Sequence, residues 1–308
     1  MENSAAKLAR DLLRLDNLEG ASRIAEDEIG RVDDHGNTLE IWRLRFVRAE
    51  IMRLRGHAEE ALKYLEARES LYPPEAADAE SLIALLMHRG YCCGLLGRYG
   101  RSHLLLAEAE QKAGCAGLSG LLCEVYQRQA MIFFRQQNYA SSDRIFRTIL
   151  KLAEEVGGWY FRGNALWGIG KNLMIQEHYR GSMPWLHESL DVFEGVGARL
   201  SVATVWSELA VCHLGLGDDE KALELFQKAA QRDIEAGAIH NYQVALANIG
   251  NVYLHRRDYL TAIWYYREAQ ALAREIRDPL SIKKWTYNTN LAYARIRQSV
   301  DEQHPRSA

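Results

Sequence analysis

Proline is scarce, with 5 residues in 308. So few breaks argue against a fold of many short strands, and the long stretches rich in Ala, Leu, Glu and Arg favour helices. An excess of one charge is also missing. Lys and Arg number 38 against 41 Asp and Glu, a formal net charge of −3, so no whole-molecule field draws the chain to phosphate backbones or anionic lipid. Long apolar runs are lacking as well: the opening MENSAAKLARDLLRL mixes charged with apolar residues, unlike a signal peptide. No segment reaches the ~20 apolar residues that span a bilayer, and the expectation is a cytoplasmic protein without membrane contact. The five cysteines, Cys92, Cys93, Cys115, Cys123 and Cys212, are odd in number and show no CxxC spacing. That pattern argues against a disulfide framework or a zinc site and for reduced, buried thiols. What is present, 48% hydrophobic and 26% charged residues, is the composition of a folded all-α chain with a large core.

The chain repeats itself. Small residues fall at Gly90, Ala130, Gly170, Ala210 and Gly250, each 40 after the last. Bulky residues precede them at Leu86, Tyr126, Leu166, Trp206 and Leu246; Ser102, Ser142, Ser182, Ala222 and Ala262 follow, and then Leu106, Phe146, Leu186, Phe226 and Tyr266. A small residue facing a large one describes a helical hairpin whose axes cross at roughly 8–10 Å. The turns read as LLGRYG, RQQNYA, IQEHYR, GLGDDE and HRRDYL. Upstream, Ala49 with Ala61 and Ala9 with Ala21 keep the twelve-residue offset.

These columns resemble the tetratricopeptide repeat (TPR) signature, kept best in WSELAVCHLGLGDDEKALELFQKAA and LANIGNVYLHRRDYLTAIWYYREAQ. The usual period of that family is about 34 residues. The spacing of 40 is similar to the longer-helix variety of kinesin light chains, bacterial peptide-sensing regulators and arrays attached to CHAT peptidases. The resemblance implies a right-handed α-solenoid of about seven helix-turn-helix repeats, near 2–35, 42–78, 83–120, 123–160, 163–200, 203–240 and 243–280, with a capping helix at 281–298 and a polar, frayed tail at 299–308. It also implies one continuous stack without an internal boundary. Pro73–Pro74 and Pro279 fall between repeats, and Pro184 falls inside a second helix, which it should bend.

Motifs for chemistry are weak. No HExxH occurs, and His178 and His187 are separated by a turn and a proline. GNALWGIGKN has Ile169 where a phosphate loop needs lysine, and it lies within a helix. GLSG at 117–120 lacks the spacing of a nucleophile elbow. The expectation is a protein that is not an enzyme and takes no cofactor or metal. WRLRFVRAEIMRLR, with Arg43, Arg45, Arg48, Arg53 and Arg55, could serve an acidic partner or nucleic acid, but the favoured reading is a solvated face with its apolar stems along the helix.

The resemblance further implies that first helices line a concave groove. The groove residues are then His88, Tyr91, Gln127, Arg128, Met131, Arg135, Asn164, Trp167, Lys171, Ser207, Glu208, Asn248, Asn251 and His255. Amides can hold a peptide backbone, arginine and lysine take carboxylates, and Trp167 and Met131 offer an apolar anchor. The reading is a protein-interaction scaffold for a peptide or a partner's helix, with acidic residues on the partner and self-association left open. Two alternatives stand beside it: the recognition region of a larger signalling protein, such as a CHAT-type peptidase or helix-turn-helix regulator, and, less favoured by the charge balance, an RNA-binding helical repeat.

Overall fold

The computed structural model of the chain describes residues 4–14, 18–31, 39–67, 78–276 and 278–303. Among them are fifteen α-helices and no strand, the all-α class of stacked helix hairpins. They are α1 (Ala5–Arg14), α2 (Leu18–Arg31), α3 (Leu39–Leu54), α4 (Ala58–Glu66), α5 (Ala79–Leu95), α6 (Tyr99–Cys115), α7 (Ser119–Arg135) and α8 (Tyr139–Val156). There follow α9 (Trp159–Ile175), α10 (Tyr179–Val196), α11 (Arg199–Gly215), α12 (Asp219–Glu235), α13 (Ile239–His255), α14 (Tyr259–Glu275) and α15 (Pro279–Gln303).

From α5 onward a new helix begins every 20 residues, because the chain is broken at a fixed place. Residues 97, 117, 137, 157, 177, 197, 217, 237 and 257 all have positive φ. Most are glycines, which adopt that conformation without a Cβ penalty, but Gln137, Glu177 and Arg257 hold it too. The linker then folds back on the helix it ends: the amide of Arg98 donates to the Cys93 carbonyl, Asn138 to Phe133 and Asp258 to Tyr253, each at 2.9 Å, closing the carbonyls a helix end leaves open. The next helix is often started by an acceptor just before it. The side chains of Asp78, Asn138, Asp218, Asp258 and Asp278 each accept from the backbone amide three residues on, a cap worth about 1 kcal/mol.

The repeat columns are the packing seams. Ser102, Ser142, Ser182, Ala222 and Ala262 are fully buried, as are Leu106, Phe146, Leu186, Phe226 and Tyr266. A Cβ built at Gly250 would lie 2.7 Å from Tyr266 Cε1 and 3.3 Å from the Ala262 carbonyl oxygen. Gly250 is therefore a helix-crossing residue, and Tyr253 beside it stacks on Tyr265 with centroids 5.5 Å apart.

The helices fall into two compact units, residues 1–172 with 195–198 and residues 173–194 with 199–308. In unit 1 consecutive helices from α1 to α8 pack in sequence, and odd helices also touch: α1 on α3, α3 on α5, α5 on α7. Its cores include a cluster of Trp42, Phe46, Leu62, Leu65 and the Cys92–Cys93 pair, each buried aliphatic side chain contributing ~1.5–3 kcal/mol. In unit 2 consecutive helices from α11 to α15 pack likewise. Trp285 of α15 is 1% exposed, lies against Tyr266 and Ala269, and donates through Nε1 to Gln243 Oε1 at 3.3 Å. Pro279 is the first residue of α15, where no N–H is needed, and Pro184 lies within α10. Pro73–Pro74 and residues 304–308 of the expected tail lie outside the described residues.

Candidate functional site

In unit 1 the odd helices α1, α3, α5, α7 and α9 surround a cavity of about 80 Å³, and every residue lining it comes from one of them. α1 brings Arg10 and Arg14, α3 Arg43 and Glu50, α5 His88, α7 Glu124, Gln127 and Arg128, and α9 Tyr160, set among Leu13, Val47 and Met87.

Glu50 is the hub of this wall. Arg128 Nη2 donates to its Oε1 at 2.5 Å, Arg53 donates to both oxygens at 2.7 and 2.9 Å, and His88 Nδ1 lies 3.5 Å from Oε2. Burial pushes the Glu50 carboxyl up, but Arg128 and Arg53 outweigh it and hold the group well below the ordinary carboxylate range. Burial likewise opposes the charge of Arg128, and Glu50 more than restores it. The two guanidiniums also lie over the Tyr91 ring, at 5.2 and 4.7 Å from its centroid, contacts of ~0.5–2 kcal/mol each. The His88 ring stacks on Phe46 at 5.9 Å. Sequence-expected His88, Tyr91, Gln127 and Arg128 are thus brought together.

Arg14 closes the other side. Its Nη2 donates to Glu124 Oε1 at 2.7 Å across 110 positions of sequence, and its guanidinium lies 5.3 Å from the Tyr160 ring centroid and 5.6 Å from that of Phe161. The Arg10 side chain makes no hydrogen bond or ion pair with the described residues.

The arginine-rich stretch of α3 departs from the solvated face expected of it. Arg45 is 3% exposed and lies over Trp42 at 4.9 Å, and Arg53 is tied to Glu50. Arg43 pairs with Asp78 and Glu80, and Arg48 lies over Tyr64. The reason is that α3 packs on four other helices, α1, α2, α4 and α5, so it has little outer face.

The remaining expected residues of unit 1 form a second set. Lys171 Nζ lies 4.7 Å from the Trp167 ring centroid and 5.8 Å from that of Phe134. The Trp167 Nε1 is buried without a hydrogen-bond partner. Asn164 donates to the Tyr160 carbonyl at 2.8 Å, Arg135 reaches the Leu95 carbonyl at 3.5 Å, and Met131 packs half-buried on the core around Ile132. In unit 2, Asn251 Oδ1 accepts from the Tyr266 hydroxyl at 2.7 Å, and its amide nitrogen lies 3.4 Å from Asn248 Oδ1. His255 Nδ1 and Asp219 Oδ1 are 2.8 Å apart. Ser207 and Glu208, half-buried, occupy α11.

Cys92, Cys93, Cys123 and Cys212 are buried and Cys115 is exposed, all as free thiols. Burial pushes Cys92 up to about 12 and Cys123 to about 11, so both stay protonated and poorly nucleophilic. Among the described residues no group of three or more His, Cys, Asp or Glu is placed to hold a metal ion. No helix among them is long and apolar enough to cross a membrane.

Sequence reasoning missed Arg10, Arg14, Glu50, Arg53, Glu124 and Tyr160. A signal existed for three of these. Tyr91, Met131, Lys171 and Asn251 each follow a small-column residue directly, and the same step from Ala9 and Ala49 gives Arg10 and Glu50. Arg135 and His255 stand five after that column, and the same step from Ala9 gives Arg14.

Residues 203–236 match the tetratricopeptide repeat family, and this span runs from α11 to the end of α12. No curated protein matches the chain. Among solved structures, a Rap protein complexed with competence and sporulation factor is 15% identical with a TM-score of 0.69, over 94% of this chain and 86% of that one. A signal transduction ATPase with numerous domains and a tetratricopeptide repeat sensor, from Pyrococcus horikoshii, is 18% identical with a TM-score of 0.66; 96% of this chain spans 49% of it. NprR in complex with its cognate peptide NprX is 13% identical with a TM-score of 0.61, over 100% of this chain and 85% of that one. The chain therefore has the fold of tetratricopeptide repeat proteins.

Proposed function

We propose that this chain is a non-catalytic interaction module that takes an extended peptide or a partner's helix on the side chains of its odd-numbered helices. The observation that carries the reading is the cavity of unit 1, whose charged and aromatic wall is held in place by the Glu50 network before any partner arrives. A wall fixed in advance spares the entropy that binding otherwise loses in ordering side chains. Two proteins of similar fold, Rap and NprR, are known with competence and sporulation factor and with NprX bound, which supports a peptide as the ligand. The groove residues Met131, Trp167 and Lys171 would supply the apolar anchor and a cation beside it. Gln127→Ala, Met131→Ala and Lys171→Ala combined should reduce partner recovery in a cross-linked pull-down from source cells at least about tenfold. Recovery equal to the unaltered chain would refute the groove.

A second reading is favoured by one comparison. This chain spans about half of an ATPase in which tetratricopeptide repeats are the sensor, so the module would serve as the recognition region of a larger signalling protein. The open reading frame around the coding sequence decides: a fused effector domain supports it, and none refutes it.

A further inference from the structure

We infer that the cavity of unit 1 is a subsite for one carboxylate of an acidic peptide, taken up by Arg10 and Arg14 in exchange for Glu124. This rests on the peptide-binding reading above and assigns that site its chemistry.

The sign of the ligand follows from the wall. Four guanidiniums, those of Arg10, Arg14, Arg43 and Arg128, face two carboxylates, those of Glu50 and Glu124. A cation entering would meet an excess of like charge, and an anion would relieve it. Arg43 is already neutralised by Asp78 and Glu80, which stand outside the lining, so the excess left for a ligand comes from Arg10, Arg14 and Arg128 against Glu50 and Glu124.

The two internal carboxylates differ in how firmly they are held. Glu50 is bound at both oxygens and by two arginines, and losing it would strand both in a buried place. Glu124 has one short contact, from Arg14, and the two side chains are 19% and 28% exposed, so water reaches both. A ligand carboxylate can replace Glu124 on Arg14 while Glu124 turns to solvent, leaving the number of charges on the guanidinium unchanged. Arg10, whose side chain has no partner among the described residues, then supplies the additional attraction that drives the exchange. Planar guanidinium forks suit a carboxylate better than an ammonium point charge would.

Size and lining narrow the group further. About 80 Å³ is room for roughly two or three waters at the ~30 Å³ each takes in the liquid, enough for a side-chain carboxylate on a short stem. Leu13, Val47 and Met87 line the same space, so methylenes can lie on them while the charged end meets the arginines.

The test uses the full chain and fluorescein-labelled hexaglutamate and hexaglutamine, followed by fluorescence anisotropy at low and at physiological salt. Hexaglutamate should bind at least about tenfold more tightly than hexaglutamine. Arg10→Gln should weaken it about tenfold without altering thermal unfolding, because Arg10 supports nothing else. Glu124→Gln should tighten it several-fold, since the internal competitor is gone, a gain that a purely structural role for Glu124 does not produce. Equal affinity for the two peptides overturns the assignment, as does failure to bind either, or indifference to both Arg10→Gln and Glu124→Gln. If hexaglutamate instead responds only to Met131→Ala and Lys171→Ala, peptide binding stands and the cavity assignment falls. An oligouridylate that binds more tightly than hexaglutamate and loses affinity with Arg10→Gln also overturns it, in favour of nucleic acid.

Discussion

In unit 1 the buried carboxylate of Glu50 is gripped by Arg53 and Arg128. In unit 2 the carboxylate of Asp233, 3% exposed, has Asn241 as a partner and an Oδ1 atom with none. Asp233 stands in a 40-residue column with Ala113, Ala153, Phe193 and Ala273, all buried, so it sits in a packing seam and not on a polar face. Burial pushes it up to about 7, whereas Glu50 is pulled down by its arginines. The same hairpin thus accommodates a buried acid in two ways. A paired acid remains charged and fixes a site; an unpaired one gives up its charge near neutrality and weakens its surroundings.

The largest effect expected from this contrast is in unit 1. Glu50→Ala leaves two arginines buried without their acid and should destabilise the unit by ~3–5 kcal/mol. Urea denaturation read by hydrogen exchange within residues 39–135 measures it, and a loss under about 1 kcal/mol would remove Glu50 from its central role. In unit 2 the sign reverses. The folded state holds Asp233 protonated up to about pH 7, while the unfolded chain releases that proton near pH 4. The folded state therefore binds more protons between these values, and stability falls as pH rises through that window and levels off above it. Asp233→Asn should raise stability at pH 8 by about 2–3 kcal/mol and change little below pH 4; a gain independent of pH would contradict the mechanism.

Smaller effects test the shared scaffold. Gly250→Ala should destabilise by about 1–2 kcal/mol, because the added methyl meets Tyr266 and the Ala262 carbonyl. Ala130 and Ala210, native in the same column, stand sixteen residues before Phe146 and Phe226, so the limit at Gly250 comes from where the Tyr266 ring lies and not from the column or from an aromatic in it; Tyr266→Leu should therefore suppress the effect in a double-mutant cycle. The smallest change concerns the linkers. Arg257→Gly relieves a left-handed residue and should add up to about 1 kcal/mol in thermal unfolding; no gain would mean that the side chain compensates for the strain.

The hairpin was legible in the sequence wherever packing repeats. Gly250, Tyr266 and Ala262 form a seam that recurs every 40 residues, and recurrence is visible in one chain. The breaks were legible in place, since RQQNYA, IQEHYR and HRRDYL read as turns, but at Gln137, Glu177 and Arg257 no residue type announces the left-handed backbone, and only their spacing from the glycine linkers does. The cavity was half visible. His88, Tyr91, Gln127 and Arg128 follow from the periodicity, but the pairing of Arg14 with Glu124 joins helices 110 positions apart and has no local signature. Glu50 was hidden by company, since the arginines around it read as a solvated surface until α3 was seen to be enclosed.

From α5 to α13 every helix is ended by a left-handed residue. It occupies the same place in linkers within a hairpin and in linkers between hairpins, so the chain keeps a metre of 20 residues with no privileged beat. A tandem duplication of 40 residues that starts in any of these linkers restores every helix to its own phase. Lengthening such an array by unequal recombination therefore does not depend on where within a repeat the crossover falls, provided it falls on the beat.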